Sequence, residues 1–189
     1  MIDMLAMEEH TTASRNDRMR FGIIRFVHET LYGLFVNPYS RLIQAQLKRG
    51  QQVLEVGCGS GFFSIPAAKI VGETGYVYAL DINPAAVEHV RCKIAEEGLT
   101  NVEVKRTDAS ETGLPQKSVD VAFLFAVIHS FQNVNKVLTE MHRVLKTNGI
   151  LSVQSRWPEK KLLETVTANG LFRLREEVKG VFTFEKTRK

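Results

Sequence analysis

Short apolar runs alternate with amphipathic stretches through most of the chain, and this pattern predicts a β-sheet covered by helices. The runs are rich in β-branched and aromatic residues, and most are followed by a stretch with apolar positions at helical spacing. Strands joined through helices run parallel, because a parallel pair needs a crossover connection. The predicted strands are 52–56, 76–81, 102–106, 119–125 and 149–155, and the predicted helices are 61–71, 84–97 and 133–145.

The part of the chain ahead of the first strand is predicted to be a helical extension. Residues 1–20 mix polar and charged residues without clear periodicity, whereas 21–35 has apolar residues at helical spacing. Asn37-Pro38 then supplies an N-cap followed by proline at the first helical position, which predicts a second helix to about residue 49. We therefore expect two helices ahead of the sheet, placed as a partial lid.

The last part of the chain is predicted to close the sheet. A helix follows Trp157-Pro158 and extends to about Ala168. Two β-rich runs come next, at 172–178 and 181–186, and Lys179-Gly180 separates them. Two such runs joined by a short turn containing glycine predict a β-hairpin.

Three glycines directly behind the first predicted strand are the first sign of a ligand site. Gly57, Gly59 and Gly61 form a G-x-G-x-G turn between strand and helix, where the backbone can approach a ligand closely. In the dinucleotide fingerprint G-x-G-x-x-G the third glycine stands one residue later, at the position of Phe62 here. The loop therefore suits a nucleoside with a polar tail better than a dinucleotide, which disfavours a nicotinamide-dependent oxidoreductase.

Asp81 ends the second predicted strand and strengthens this interpretation. A carboxylate at that position can accept hydrogen bonds from ribose hydroxyls and would repel a 2′-phosphate. Glycine turns alone are common in α/β proteins, but here Asp81 follows Gly57 by 24 residues, at the end of the next strand. The combination predicts a nucleoside-binding site.

At these residues the chain resembles the class I S-adenosylmethionine-dependent methyltransferases. Their first motif has an acidic residue two positions before G-x-G-x-G, where this chain has Glu55, and their second strand ends in Asp or Glu. Asp108-Ala109 after the third strand is a further family feature. The stretch 52–155 is most similar to the ubiquinone/menaquinone-biosynthesis (type 11) group, although Thr147-Asn148-Gly149 stands where relatives commonly have Pro-Gly-Gly.

The resemblance implies a Rossmann-like α/β fold, S-adenosylmethionine as cofactor, and a set of site residues. The sheet would have seven strands in the order 3-2-1-4-5-7-6, with strand 7 antiparallel and helices on both faces. The implied donor contacts are Gly57, Gly59 and Gly61 with the methionine and ribose portions, Asp81 with the ribose hydroxyls, Ile82 with an adenine face, Asp108 and the Ala109 N–H with the adenine edge, Glu55 with the loop or the ammonium group, and Phe125 with the methionine end.

Several of these assignments have a purely structural alternative. The segment 107–118 is polar and is predicted to hold only a short helical turn, so Asp108 could simply cap the turn 108–111. Glu55 could be a helix-cap partner, and Phe125 could be an ordinary core phenylalanine. The sequence leaves both interpretations open for each residue.

His129 follows the fourth predicted strand and is the candidate catalytic residue. The carboxyl ends of parallel strands are where ligands bind in such sheets. An imidazole there could act as a general base or orient an acceptor. Because histidine at this place is frequent in relatives with different acceptors, a hydrogen-bonded lining role is the more conservative prediction.

The methyl acceptor is predicted mainly from motifs that the chain lacks. Enzymes that methylate adenine or glutamine nitrogen usually carry an Asp/Asn-Pro-Pro-Tyr/Phe block after the fourth strand, whereas this chain continues through Ala126-Val127. Cys58 and Cys92 are in the wrong places for a cytosine-5 nucleophile and too few to hold arsenic. A small-molecule acceptor is therefore expected.

The acceptor pocket would be built from the N-terminal helices, the loop 126–133 and Arg156-Trp157. Tyr32, Phe35, Tyr39 and Trp157 could line it, although aromatic residues at such spacings are more often part of a core. Two alternatives remain at this stage: a protein or RNA acceptor, and a catalytically silent subunit that binds S-adenosylmethionine and regulates a partner.

Chain length and composition bound the number of domains. With 189 residues, of which 44% are hydrophobic, the chain can fill one core but is too short for two ordinary domains. We expect a single methyltransferase domain, with residues 1–50 as the extension and 51–189 as the catalytic core.

The charge is distributed unevenly along the chain, whose formal net charge is +4. Residues 51–155 carry 9 basic and 11 acidic residues, whereas 156–189 carries 9 basic and 5 acidic ones. No aromatic-interleaved basic run accompanies this excess, so a solvated face is expected and a nucleic-acid partner is not.

The remaining features concern the cellular compartment. Two cysteines indicate neither a disulfide framework nor a metal site. Residues 1–10 are too acidic for a signal peptide, and no run approaches the ~20 apolar residues of a membrane span. A cytoplasmic location is the prediction, while the oligomeric state and the acceptor atom stay open.

Overall fold

The computed structural model describes residues 14, 18–19, 21–22 and 36–187. Strands and helices alternate through this last range, as the hydrophobic pattern predicts. The strands are β1 (Gln52–Val56), β2 (Tyr76–Asp81), β3 (Val102–Arg106), β4 (Val119–Phe125), β5 (Leu145–Gln154), β6 (Phe172–Val178) and β7 (Val181–Lys186). The helices are α1 (Pro38–Gln44), α2 (Ser64–Val71), α3 (Pro84–Glu96), α4 (Val134–Val144) and α5 (Glu159–Thr167).

All seven strands join one sheet in the order β3-β2-β1-β4-β5-β7-β6, which confirms the predicted order. β1 to β5 are parallel, and β7 pairs antiparallel with both β5 and β6. The edge at which β1 to β5 end is called the carboxyl edge below, and the edge at which they begin is called the amino edge. Ligand sites in sheets of this kind lie at the carboxyl edge.

The core lies on both faces of the sheet. Val53 and Leu54, which are successive residues of β1, are fully buried in two different apolar clusters because strand side chains alternate between faces. Leu42 from α1 and Val71 from α2 pack into one cluster, and Leu138 from α4 packs into the other. This double coverage explains why the central strands are near-continuous apolar runs.

Several predicted boundaries are wrong by a few residues. The helix predicted from residue 61 begins at Ser64, because the glycine turn continues through Gly61. The helix predicted to residue 49 ends at Gln44, and Gln46 then takes a left-handed φ of 68°. β5 begins at Leu145 rather than 149, since Leu145 is already extended and pairs with Val119.

The segment 107–118 contains a turn but no helix. Most of the helix predicted at 21–35 lies outside the described residues, so of the two helices predicted as a partial lid only the second, α1, is described. Within the ranges that the structure describes, no helix is long and apolar enough to cross a membrane.

The first helix is anchored to the far end of the chain. The Ser152 hydroxyl donates to the Ala45 carbonyl at 2.9 Å, and the Gln46 amide donates to the Glu176 carboxylate at 2.8 Å. The Arg41 guanidinium donates to the carbonyl of Lys179 in the hairpin turn. Because that turn lies at the carboxyl edge, α1 begins beside the region where a ligand is expected.

Candidate functional site

The glycine loop lies at the carboxyl edge between β1 and α2, and its glycine N–H groups donate hydrogen bonds to acceptors within the protein. Gly57 N–H and Cys58 N–H both donate to the Leu80 carbonyl, at 2.8 and 2.9 Å, and Gly61 N–H donates to the Cys58 carbonyl at 2.8 Å. Gly59 N–H donates to Asp81 at 2.9 Å. These N–H groups are thus already used within the protein, which leaves the Cα and carbonyl groups of the three glycines for contact with a ligand.

Glycine is sterically required at two positions of the loop. Gly57 has a φ of 78°, and a Cβ there would come within 2.7 Å of Val127 Cγ2 in the loop after β4. Gly61 has a φ of 75°, and a Cβ there would lie 3.2 Å from Val90 Cγ2 in α3. The loop is thus held between the chain behind β4 and the helix behind β2.

Asp81 stands at the end of β2 with its carboxylate fixed by the backbone. Oδ2 accepts from Gly59 N–H and Oδ1 accepts from Asn83 N–H, each at 2.9 Å. A carboxylate has about four lone-pair sites, so each oxygen can accept one further bond. Burial raises the pKa of Asp81, and the N–H groups of Asn83, Gly59 and Ile82 oppose that shift.

Ile82 follows Asp81 with its side chain 67% exposed. An exposed apolar side chain beside a fixed carboxylate provides a surface on which a flat heterocycle can lie. This placement suits the predicted adenine contact, which stays a prediction.

Glu55 lies at the base of the loop, where it is 2% exposed. Ser64 Oγ, at the first residue of α2, donates to Glu55 Oε2 at 2.5 Å. Burial raises the pKa of Glu55 to about 8; the Ser64 bond lowers it and nearby Asp81 raises it further. Glu55 is therefore mostly protonated at pH 7, and its contact with Ser64 supports the loop-holding role.

Asp108 and Ala109 lie behind β3, beside the end of β2. Thr107 N–H donates to the Asp81 carbonyl at 3.1 Å, which joins the two strand ends. Asp108 Oδ1 accepts from Ser110 N–H at 2.7 Å and from Ser110 Oγ at 2.6 Å, so Asp108 does cap this turn. These two bonds are the main cause that lowers the pKa of Asp108.

The turn-capping role leaves room for the predicted ligand contact. Asp108 is exposed, and its Oδ2 has no hydrogen-bond partner among the described residues. The Ala109 side chain is buried in the core, which holds the backbone that follows Asp108 in place.

Phe125, at the end of β4, packs within an aromatic group. Its ring centroid lies 5.0 Å from those of both Phe63 and Phe123. Only 7% of Phe125 is exposed. This placement supports the core alternative, and contact with the methionine end of a ligand stays a prediction.

The loop behind β4 turns sharply at the carboxyl edge. Ala126 has a φ of 54°, an uncommon conformation for a residue with a Cβ and one that often occurs at functional sites. His129 lies on a 3₁₀ turn, Ile128–Ser130, with its side chain exposed. No hydrogen bond within the described residues fixes its imidazole, which leaves it accessible to an acceptor.

Two buried oxygens at this edge lack partners in the part of the chain that the structure describes. They are Ser60 Oγ, inside the glycine loop, and Gln154 Oε1, at the end of β5. The Gln154 backbone carbonyl accepts from Ala126 N–H at 2.8 Å, so Gln154 is next to the sharp turn. Buried polar atoms normally have partners, and exceptions at a site fit a polar ligand.

The sequence did not single out Ser60, Ser64 or Gln154, and it indicated Val127 only as part of the loop 126–133. The Ser64–Glu55 contact could have been predicted, because a buried Glu55 needs a hydrogen-bond donor and Ser64 has the first hydroxyl after the loop. The roles of Val127 and Gln154 could not have been predicted, because they depend on the approach of separate strands.

The predicted aromatic acceptor pocket is only partly described. Tyr39 is exposed at the start of α1. Trp157 is half-buried behind β5, with the Lys161 ammonium group 4.5 Å from its ring centroid. Tyr32 and Phe35 lie outside the described residues. Within the described part, no three His, Cys, Asp or Glu side chains are grouped to hold a metal ion.

Comparison with known sequences identifies a methyltransferase relationship. A family model described as "Methyltransferase domain" matches residues 47–183. The ubiquinone/menaquinone biosynthesis C-methyltransferase UbiE of Escherichia coli O1:K1 / APEC is 33% identical over 156 residues, which is 80% of this chain and 58% of UbiE. The chain thus spans a little over half the length of the curated relatives it matches.

Comparison with solved structures gives the same picture. An S-adenosylmethionine-dependent methyltransferase from Aquifex aeolicus superposes with a TM-score of 0.76 at 26% identity, covering 88% of this chain and 97% of that one. The [4+2]-cyclase SpnF superposes with a TM-score of 0.66 at 22% identity, covering 74% and 58%. At 22% identity this superposition shows the fold alone. Because SpnF is named as a cyclase, the fold by itself does not specify the reaction.

Proposed function

The chain belongs to the methyltransferase domain family, and we propose that it transfers a methyl group from S-adenosylmethionine to a small-molecule acceptor. Membership of this family confirms the relationship that the glycine loop and Asp81 indicated. It also confirms S-adenosylmethionine as the cofactor. The fixed Asp81 carboxylate, with one free lone pair on each oxygen, is the observation that carries the donor site.

In the part of the site that would bind S-adenosylmethionine, Asp81 would accept hydrogen bonds from the two ribose hydroxyls, and Ile82 would cover one face of the adenine. Asp108 Oδ2 would accept from the adenine amino group. The glycine loop would enclose the methionine portion through its Cα and carbonyl groups, with the unpaired Ser60 hydroxyl available as one more polar contact. When bound, the cofactor supplies a methyl group on a positively charged sulfur, which makes the thioether a good leaving group.

The protein's own contribution is positioning and exclusion of water. The Gly57–Val127 contact joins the donor loop to the loop that carries His129, so both face one space at the carboxyl edge. His129 would orient the acceptor and take up the proton that leaves it on methylation.

A small acceptor is supported by the relative UbiE, whose name describes carbon methylation in quinone biosynthesis. A ring carbon of a quinol is therefore the first acceptor class to test. Trp157 and Tyr39 would contribute apolar surface for such a ring, and the Gln154 amide would bind a ring oxygen. Protein and RNA acceptors, and a silent donor-binding subunit, remain the competing functions.

Calorimetric titration with S-adenosylmethionine and S-adenosylhomocysteine tests the donor site. Asp81→Asn should weaken binding about a hundredfold, because the amide offers one neutral acceptor oxygen where the carboxylate offers two charged ones. Asp120→Asn is the matched control: Asp120 also accepts a backbone N–H, from Gln52 at 2.8 Å, but at the amino edge. Equal losses in both variants would overturn the assignment of Asp81.

Methyl transfer is tested with isotope-labelled S-adenosylmethionine and three acceptor sets: quinols with an unsubstituted ring carbon, total RNA, and a protein extract. The proposal expects a mass gain of one methyl group on the quinol alone. Label in RNA or protein alone would replace the small-molecule proposal, and donor binding without transfer to any set would favour the silent subunit.

A further inference from the structure

A second concave site lies at the amino edge, across the sheet from the glycine loop. It is a cavity of about 820 Å³, here called the amino-edge cleft, and its walls include Thr147, Asn148, Arg173, Arg175, Glu185 and Lys186. This volume is within the range of small-ligand sites. The cleft is formed by β5, β6 and β7 and shares no residue with the donor site.

The cleft lies where β5 and β6 each contain an irregularity in their strand pairing. Val119 pairs with Leu145 and Val121 with Ile150, so two steps along β4 match five along β5 and residues 146–149 are displaced from the ladder. Gly149 makes this possible, because a Cβ there would lie 3.0 Å from Lys146 N and O. The displaced segment carries Thr147 and Asn148 into the cleft wall.

A second irregularity places Arg175. Leu174 pairs with Phe184 and Glu176 with Thr183, so two steps along β6 match one along β7 and Arg175 is the extra residue. Such bulges redirect a side chain and often occur beside functional sites. Arg173, which precedes the bulge and pairs with Glu185, lines the cleft together with Arg175.

The charges in the cleft are not balanced. Arg173 and Glu185 form an ion pair at 2.6 Å, which uses the one carboxylate of the wall. Arg175 forms no ion pair with a carboxylate of residues 36–187. The Lys186 ammonium donates to the Leu145 carbonyl at 3.0 Å. Burial is the main cause that lowers the pKa of Lys186, and nearby Lys117 lowers it further. The walls thus hold an excess of positive charge.

The neutral donors of the wall are also unused. Thr147 and Asn148 are exposed and make no side-chain hydrogen bond within the described ranges. A guanidinium, an ammonium, a hydroxyl and an amide around one cavity are the groups that bind a phosphate.

We propose that the amino-edge cleft binds the phosphate group of a small ligand, at a site separate from the donor site. A small ligand is favoured over RNA because the cleft is a local concavity of three strands, and its described wall residues include no aromatic side chain on which a base could stack.

The test is a titration of the ¹⁵N-labelled 189-residue chain with sodium pyrophosphate, monitored by NMR amide shifts, with sodium chloride at matched ionic strength as reference. Saturable shifts are expected around 146–149, 173–175 and 185–187. Arg175→Gln and Asn148→Gly should each weaken binding, the first at least tenfold. Lys160→Gln, which removes a charge from the exposed face of α5, should not.

Three results would overturn the proposal. They are shifts that sodium chloride reproduces, equal weakening by Arg175→Gln and Lys160→Gln, and saturation by an oligouridylate but not by pyrophosphate. Binding of S-adenosylhomocysteine should be the same in all variants, which shows that each is folded and that the two sites are separate.

Discussion

At the carboxyl edge, the part proposed to bind the donor (the donor side) and the part proposed to bind the acceptor (the acceptor side) are built in opposite ways. On the donor side, Asp81 has both oxygens held by backbone N–H groups, and the glycine N–H groups all have protein acceptors. On the acceptor side, His129 is exposed without a fixing bond and Gln154 Oε1 has no partner in the described residues. The groups that would bind the common donor are thus held in place by the fold, whereas the groups that would bind the acceptor are not.

The sharpest way to break the donor side is to add one methyl group at Gly57. Gly57→Ala combines a left-handed φ with a Cβ 2.7 Å from Val127 Cγ2, and together these should cost about 3–5 kcal/mol of stability and abolish donor binding. Urea unfolding and calorimetry with S-adenosylhomocysteine measure both effects.

The control for that variant is Gly98→Ala. Gly98 also has a positive φ, 62°, but a Cβ there meets nothing within 4 Å, so only about 1 kcal/mol should be lost. Adding Val127→Ala to Gly57→Ala should restore part of the stability. If Gly57→Ala and Gly98→Ala cost the same, the contact with Val127 is unimportant.

Glu55 gives the donor side a dependence on pH. Its carboxyl has a pKa of about 8 when folded and about 4.5 when unfolded, so between these values only the folded state holds the proton. Stability should therefore fall as pH rises from about 4.5 to about 8, by on the order of 4 kcal/mol. Asp81, whose pKa is also raised, acts in the same direction.

Glu55→Gln should remove most of that slope, because an amide does not titrate in this range. Urea unfolding at pH 5 and pH 8.5 measures the difference between wild type and variant. Parallel falls in both proteins would show that other groups, and not Glu55, cause the dependence.

Glu140 tests whether the donor side depends on distant support. Its Oε1 accepts from Thr112 N–H at 2.9 Å and from Thr112 Oγ at 2.6 Å, and its carboxylate pairs with Arg143. This network holds the segment that follows Asp108. Glu140→Ala should cost about 2–3 kcal/mol and weaken donor binding several-fold.

Glu164→Ala is the comparison for Glu140→Ala, because Glu164 is exposed on α5 and its ion pair with Lys160 is 4.0 Å long. It should change stability by less than about 0.5 kcal/mol. Unfolding curves for the two variants decide the point, and similar losses would remove the special role of the Thr112 network.

The smallest effect on stability is expected on the acceptor side. His129→Ala removes an exposed side chain, so stability should change by less than about 0.5 kcal/mol and donor affinity by less than twofold. Methyl transfer to a quinol should nevertheless fall at least tenfold. A large loss of donor affinity would contradict the division between the two sides.

The strand positions and the position of Asp81 could be predicted because both depend on local pattern, whereas the strand order was implied by the resemblance to the methyltransferase family. The alternation of apolar runs and the glycine turn are visible within short windows, and the fold rules place strand ends together. The predicted β5 start was wrong because the displaced segment 146–149 looks like a turn in sequence although Leu145 already pairs with β4.

Contacts between distant segments could not be predicted. Nothing in the sequence indicates that Gly57 touches Val127, or that Thr112 is bound by Glu140, since each pair depends on how separate elements pack. The same reason leaves the acceptor open: its pocket needs the chain ahead of residue 36 and the loops behind β4 and β5 together.

The contact between Val127 and Gly57 also limits how new acceptor specificities can arise. Under the proposed function other residues of the loop 126–133 would face the acceptor, whereas position 127 must keep a side chain that fits against a bare Cα. A designer who transplants an acceptor loop from a relative should therefore treat residue 127 as part of the donor site and exchange it only together with the glycine turn.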